Sequence, residues 1–197
     1  MVVRTNLLVT GPPGSGKTTL ITRVAEAYAG RPFGGFYTEE IREEGRRVGF
    51  ALVGFEGTRG LLAHSRIGGP CRVGKYGVDV EGFEAFLGAI RPDAPEHAFI
   101  VIDEIGRMEW YSPRFRTTIG TLLDAERPLF ATIALRGPAE IEAIKARDDV
   151  LLRTLGRENR DRMLPTVCRD LEAMLGETCV PAPIRTARLR ARTRRRA

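Results

Sequence analysis

The sequence predicts a three-layer α/β domain: a mostly parallel sheet with helices on both faces and an antiparallel hairpin inserted into it. Three observations lead there. Strand-like and helix-like segments alternate through both halves of the chain, the order that lays parallel strands under crossover helices. A glycine-rich loop joins the first strand-like segment to the first helical one. An apolar run, Ala98 to Ile102, closes on the carboxylate of Asp103, as expected of a strand buried on both faces. At 197 residues the chain is long enough to bury such a core without metal or disulfide staples. With 43% hydrophobic and 28% charged residues, a disordered or fibrous chain is excluded.

Taken in order, Val2 to Thr10 reads as a strand. Leu20, Ile21, Val24, Ala25 and Tyr28 then line one face of a helix over Thr18 to Ala29, with Gly30 placed to cap it in the left-handed conformation. Residues 33–80 differ in texture. Two strand-like runs, Phe36 to Ile41 and Val48 to Phe55, flank the charged turn Arg42 to Arg46, and a short strand or loop follows through Arg59 to Ser65. A helix over Val80 to Ile90 is stopped by Arg91-Pro92. After the Ala98–Asp103 strand come a helix within Pro113 to Leu123, a strand over Leu129 to Leu135, a helix over Pro138 to Ala146 and a strand from Val150 to Leu155. Pro165 and Gly176 bracket a last helix.

The net charge of +6 is smaller than the seven arginines between Ala182 and Ala197, a stretch without acids, so the rest of the chain is close to neutral. The expected division is a domain over residues 1–181 and an arginine-rich, disordered tail over 182–197. That tail is either a solvated extension or an arm for nucleic acid or another acidic partner. Cys71, Cys168 and Cys179 form no metal-binding spacing and, being three, no closed disulfide set. With no apolar run long enough for a bilayer and no export signal at Met1 to Asn6, a soluble, cytoplasmic monomer is expected.

Gly11-Pro12-Pro13-Gly14-Ser15-Gly16-Lys17-Thr18 is the G-x-x-x-x-G-K-[ST] pattern of the phosphate-binding P-loop, or Walker A motif. Its glycines let successive backbone N–H groups turn toward phosphate oxygens at the positive end of the following helix. Lys17 reaches the β- and γ-phosphates, the Thr18 hydroxyl ligates Mg²⁺, and Thr19 completes the nucleotide-binding set. Asp103, at the end of the apolar strand, is placed as the Walker B carboxylate that holds Mg²⁺. Glu104 adds a second carboxylate able to orient an attacking water and take its proton. A glutamate directly after that aspartate goes with an extra strand between the P-loop strand and the Walker B strand, which puts Leu129–Leu135 in the middle.

Five segments, GPPGSGKTTL from Gly11, GGFYTEEIR from Gly34, VGKYGVDVE from Val73, VIDEIGRME from Val101 and RENRD from Arg157, together resemble the cancer-related nucleoside-triphosphatase family of small P-loop proteins. The resemblance spans roughly residues 1–178. It implies a RecA-like or nucleotide-kinase-like domain and slow, Mg²⁺-dependent hydrolysis of several nucleoside triphosphates with little choice of base. Gly11 to Thr18 match the family's nucleotide-binding loop, and Asp103 and Glu104 its Walker B pair. Arg107 stands where the pattern prefers lysine.

Further candidates rest on position alone. Thr132, within the middle strand, is either a polar sensor of the γ-phosphate or an ordinary strand residue. Arg157 and Arg160, beside Asn159 and flanked by Arg153 and Arg162, form a base-contacting loop, an arginine lid or a solvated turn. Arg107, or a partner's arginine, is the candidate for a transition-state cation. Trp110 approaches the nucleotide or packs in the core. Beside hydrolysis, two other functions fit these motifs: a nucleotide or nucleoside kinase whose hairpin covers the acceptor, and a nucleotide-dependent switch that binds RNA or a partner.

Overall fold

The computed structural model describes residues 4–176, so the expectations for Met1 to Val3, Cys179 and the 182–197 tail fall outside the described residues. Nine strands form one sheet: β1 (Asn6–Thr10), β2 (Phe33–Glu43), β3 (Arg46–Gly54), β4 (Arg59–His64), β5 (Arg72–Val73), β6 (Tyr76–Val78), β7 (Phe99–Ile105), β8 (Leu129–Ile133) and β9 (Val150–Thr154). The helices are α1 (Lys17–Ala27), α2 (Val80–Ile90), α3 (Pro113–Leu123), α4 (Ala139–Lys145) and α5 (Arg160–Met174), with a 3₁₀ turn at Glu109–Tyr111.

Across the sheet the order is β5-β6-β4-β3-β2-β7-β8-β1-β9. From β2 to β9 every pairing is parallel, and from β2 to β5 every pairing is antiparallel. β2 belongs to both halves. Its first residues, Phe33 to Phe36, pair with β7, and Phe36 to Glu43 pair with β3. The hairpin therefore widens the nucleotide-side sheet instead of sitting on top of it. As the Asp103-Glu104 pair predicts, β8 lies between β1 and β7.

Both faces of the parallel half are apolar because successive side chains point opposite ways. On one face Leu7, Val9, Phe99 and Val101 pack under α1 and α5, through Ile21, Val24, Val167 and Leu171. On the other, Leu8, Ile100 and Ile102 pack with Phe83 and Phe86 of α2, Phe115 and Ile119 of α3, and Ile141 of α4. Gly35 is fixed by close approach. Its φ is +117°, and a Cβ there would overlap the Val101 carbonyl of β7.

Several boundaries depart from the expectations. β1 starts at Asn6, with Arg4 and Thr5 outside it, and β8 ends at Ile133, before Ala134-Leu135. Helix α1 ends at Ala27 with Tyr28 N–H bonded to the Val24 carbonyl, so Gly30 is not its left-handed cap. Helix α5 begins at Arg160 and carries Pro165 as its sixth residue, so Pro165 does not mark its start. β7 runs past Asp103 to Ile105, with its register against β8 shifting between Ile102 and Ile105. The Arg91 stop holds: α2 spans Val80–Ile90, Asp79 caps its start by accepting from Gly82 N–H at 3.0 Å, and Arg91 has φ +42°.

Helix α3 is set by a small polar cluster behind the site. Ser112 accepts from Phe115 N–H at 3.0 Å and donates to Glu84 at 2.8 Å, and Pro113 occupies the first helical position. Replacing Ser112 by Ala removes the cap, and urea unfolding should show a loss of about 1 kcal/mol.

Candidate functional site

The carboxyl ends of β1, β2, β7 and β8 meet at one edge of the parallel sheet, where ligands bind in open α/β sheets. A cavity of roughly 1020 Å³ opens there, lined by Pro13, Gly14, Gly16, Lys17, Thr18 and Thr19 on one side and by the hairpin on the other. The loop after β1 curls because Gly14 (φ +74°) and Gly16 (φ +102°) are left-handed and Ser15 N–H closes a turn on the Pro12 carbonyl at 3.1 Å. Gly11 packs where a Cβ would overlap the Leu155 carbonyl. Ser15 is buried, and its hydroxyl has no protein partner.

Asp103 is 1% exposed and accepts from three hydroxyls: Thr18 at 2.7 Å, Thr38 at 3.2 Å and Thr132 at 2.6 Å. These donors come from α1, β2 and β8. Among the described residues no cation forms an ion pair with this buried carboxylate. The Thr18 hydroxyl, which lines the cavity, and Asp103 Oδ2, buried behind it, thus stand 2.7 Å apart, a hard donor set suited to Mg²⁺. Thr132 is fully buried; its hydroxyl is spent on Asp103 and it does not line the cavity.

Lys17 Nζ donates to the Gly11 carbonyl at 3.1 Å and stands 3.6 Å from Glu104 Oε2. The Glu104 side chain remains 29% exposed, enough for water to reach it from the cavity. Burial pushes its carboxyl above the usual carboxylate range, and the Asp103 charge adds to this while Lys17 opposes it.

Arg107 lines the cavity beside Glu104, and also a neighbouring cleft with Trp110 and Tyr111. Trp110 packs edge-on against Phe115. On the opposite flank, Arg157, Arg160 and Asp161 line a smaller cavity of roughly 480 Å³ with Gly14, and Arg160 approaches Gly16. Asn159 has a different task. Its side chain accepts from Gly156 N–H at 2.9 Å and donates to the Thr154 carbonyl at 2.8 Å, holding the loop from β9 to α5. Arg153 pairs with Asp170 on α5 and stays out of the site.

Three site residues lie beyond the sequence candidates. Thr38 stands in the GGFYTEEIR segment, two residues past Phe36, where β2 has left β7 and pairs with β3. Arg136 follows β8 and lines the cavity. Glu109 also lines it, yet is only 5% exposed. Burial, then the charge of Glu104, push the Glu109 carboxyl up to about 8.

A sheet with this strand order, a P-loop after β1 and a buried aspartate and a glutamate at the end of β7 define a P-loop nucleoside-triphosphate-binding protein. A family model described as NTPase matches residues 6–168. The chain belongs to that NTPase family. It is 40% identical over 176 residues to the nucleoside-triphosphatase THEP1 of Thermotoga petrophila, covering 87% of this chain and 95% of that one. The crystal structure of THEP1 from Aquifex aeolicus matches with a TM-score of 0.77 at 34% identity, over 85% of this chain and 99% of the other. The solution structure of a human cancer-related nucleoside triphosphatase matches with a TM-score of 0.74 at 37% identity, over 87% and 98%. The family resemblance read from the five sequence segments and the α/β architecture both hold.

Glu109 carries a pH signature. Unfolded, it gives up its proton near 4.5; folded, it keeps it to about 8, so its contribution to stability falls as pH rises through that window. Glu109→Gln has no such proton to lose. Thermal unfolding from pH 5 to 8.5 should therefore show the wild type losing ground steadily to Glu109→Gln, whereas parallel curves would mean an ordinary carboxyl.

Proposed function

We propose that the chain is a Mg²⁺-dependent nucleoside-triphosphate phosphohydrolase of broad base specificity and slow turnover, releasing the diphosphate and phosphate. The observation that carries this reading is the pairing of Lys17 with Glu104 at 3.6 Å, both lining the cavity that Thr18 also lines while its hydroxyl bonds the buried Asp103. A cation for phosphate and a carboxylate for water thus stand together on the wall of one cavity.

In this mechanism the loop from Gly11 to Thr19 receives the triphosphate with its backbone N–H groups, and Lys17 exchanges Glu104 for β- and γ-phosphate oxygens. The freed Glu104 orients a water and accepts its proton as the water oxygen bonds to γ-phosphorus and the bond to the β–γ bridging oxygen breaks. Thr18 and Asp103 would hold Mg²⁺, which neutralises charge on the β- and γ-phosphate oxygens when bound. Thr38 and Thr132 fix the Asp103 carboxylate. Arg157 and Arg160 flank the loop on the nucleoside side with guanidinium groups and no deep apolar slot, which supports tolerance for the base.

Two substitutions separate binding from chemistry. Lys17→Ala should weaken nucleotide binding and turnover together, because Lys17 meets phosphate charge before and during the reaction. Glu104→Gln should cost about 10²- to 10⁴-fold in turnover with binding nearly intact. Wild-type turnover should also fall with acid at a pH above the ordinary carboxylate range, since the raised Glu104 must be ionised to act. Phosphate release from ATP, GTP, CTP and UTP, with Mg²⁺ or with chelator, tests the reading. Transfer to an added nucleoside or nucleotide in place of phosphate release would make the protein a kinase instead.

A further inference from the structure

The hydrolysis proposed above concentrates negative charge on the γ-phosphoryl oxygens as the β–γ bond breaks, and a positioned cation there accelerates such reactions strongly. Lys17 serves the ground state as well. Among the described residues three arginines line the cavity, Arg47, Arg107 and Arg136. Their surroundings differ.

Arg136 sits in the segment that leaves β8, the strand between the P-loop strand and the strand of Asp103 and Glu104. The residues around it are pinned one by one. Ala134 N–H donates to the Ile105 carbonyl at 3.0 Å, just past Glu104. The Leu135 carbonyl accepts from Lys145 Nζ of α4 at 3.0 Å, and Gly137 N–H donates to Glu142 Oε1 of α4 at 2.9 Å. Lys145 and Glu142 are themselves paired at 3.0 Å, which closes the brace. The backbone is thus held on both sides of Arg136, while its own side chain lines the cavity. It forms no ion pair among the described residues. Of the two acids of α4 that follow it, Glu140 forms no ion pair with it among the described residues, and Glu142 is already occupied by Lys145 and Gly137, with Arg136 the last of the influences on its carboxyl.

Neighbouring arginines are spent differently. Arg47 pairs with Glu40, Arg59 with Glu39, and the Arg72 guanidinium donates to the Ile67 and Lys75 carbonyls. Arg107 has no such partner, but it borders both the main cavity and the Trp110–Tyr111 cleft, so its side chain has two places to go.

We infer that Arg136 is a catalytic residue of the proposed hydrolysis, the built-in cation that moves onto the γ-phosphoryl oxygens as charge develops there. Its backbone is preorganised by the Glu142–Lys145 brace, so little ordering remains to be done at the moment of reaction.

The experiment uses the full chain and rests on the hydrolase reading, for which wild-type phosphate release is the control. Arg136→Ala is measured by single-turnover hydrolysis, by titration with a non-hydrolysable triphosphate, and by titration with ADP, Mg²⁺ and aluminium fluoride, whose planar anion imitates the group in flight. About a 10²-fold fall in turnover, with triphosphate affinity within about threefold of wild type, is expected. The gain in affinity that fluoride gives to ADP should collapse in the same variant, and Arg136→Lys should restore part of both. Turnover within about threefold of wild type, or a loss confined to triphosphate affinity, overturns the role while leaving the hydrolase reading intact. A wild type that releases no phosphate defeats the hydrolase reading itself and this role with it. Because Arg136 is exposed, the variant folds on the same core, and unchanged thermal unfolding confirms it.

Discussion

Three hydroxyls from three separate elements converge on the Asp103 carboxylate, and the geometry of the whole site follows from that convergence. A carboxylate at 1% exposure without a cationic protein partner is costly unless its lone pairs are filled. Thr18, Thr38 and Thr132 fill them, and in doing so they lock together the first turn of α1, the start of the hairpin and the middle strand. Any shift of one element against another would break a hydrogen bond to a buried charge. The sheet order that interposes β8 between β1 and β7 is what brings Thr132 within reach, so topology and electrostatics select each other.

Around that fixed point the remaining groups are graded by exposure. Lys17 and Glu104 are paired but reach solvent, so a more strongly charged ligand can separate them. Glu109 is shut away beneath them and carries a proton at neutral pH, which spares the cavity a third negative charge next to Asp103 and Glu104. A region that must accept triphosphate gains from that neutrality, because repulsion within the site is removed before the ligand arrives.

Much of this was legible in the residues. The P-loop, the Asp103-Glu104 pair and the position of β8 follow from spacing and from the apolar run before Asp103, because phosphate chemistry allows few alternatives at those places. The end of α2 was readable because Arg91-Pro92 stops it, and the structure adds Asp79 as the cap at its start. What escaped has physical reasons. β5 and β6 are two and three residues long, too short for any periodicity. Gly30 looked like a cap because local chemistry permits it, yet packing ended α1 earlier, at Tyr28, whose ring meets Phe99. Asn159 looked available for ligand but serves its own loop. Glu109 and Arg136 have no motif: each is one charged residue among many, and only folding shows that the first is buried and the second unspent.

The long open sheet has two ends, and unpaired backbone at such ends invites other chains to add on. Here the antiparallel end tapers to the two residues of β5, whose Arg72 side chain turns back onto the Ile67 and Lys75 carbonyls. The parallel end is the five-residue β9, which carries Arg153 as its fourth residue, tied to Asp170 of α5. One end is too short to template a strand, and the other carries a guanidinium that an incoming strand would have to bury. Among the described residues, both ends of the sheet are thus poor templates for a further strand.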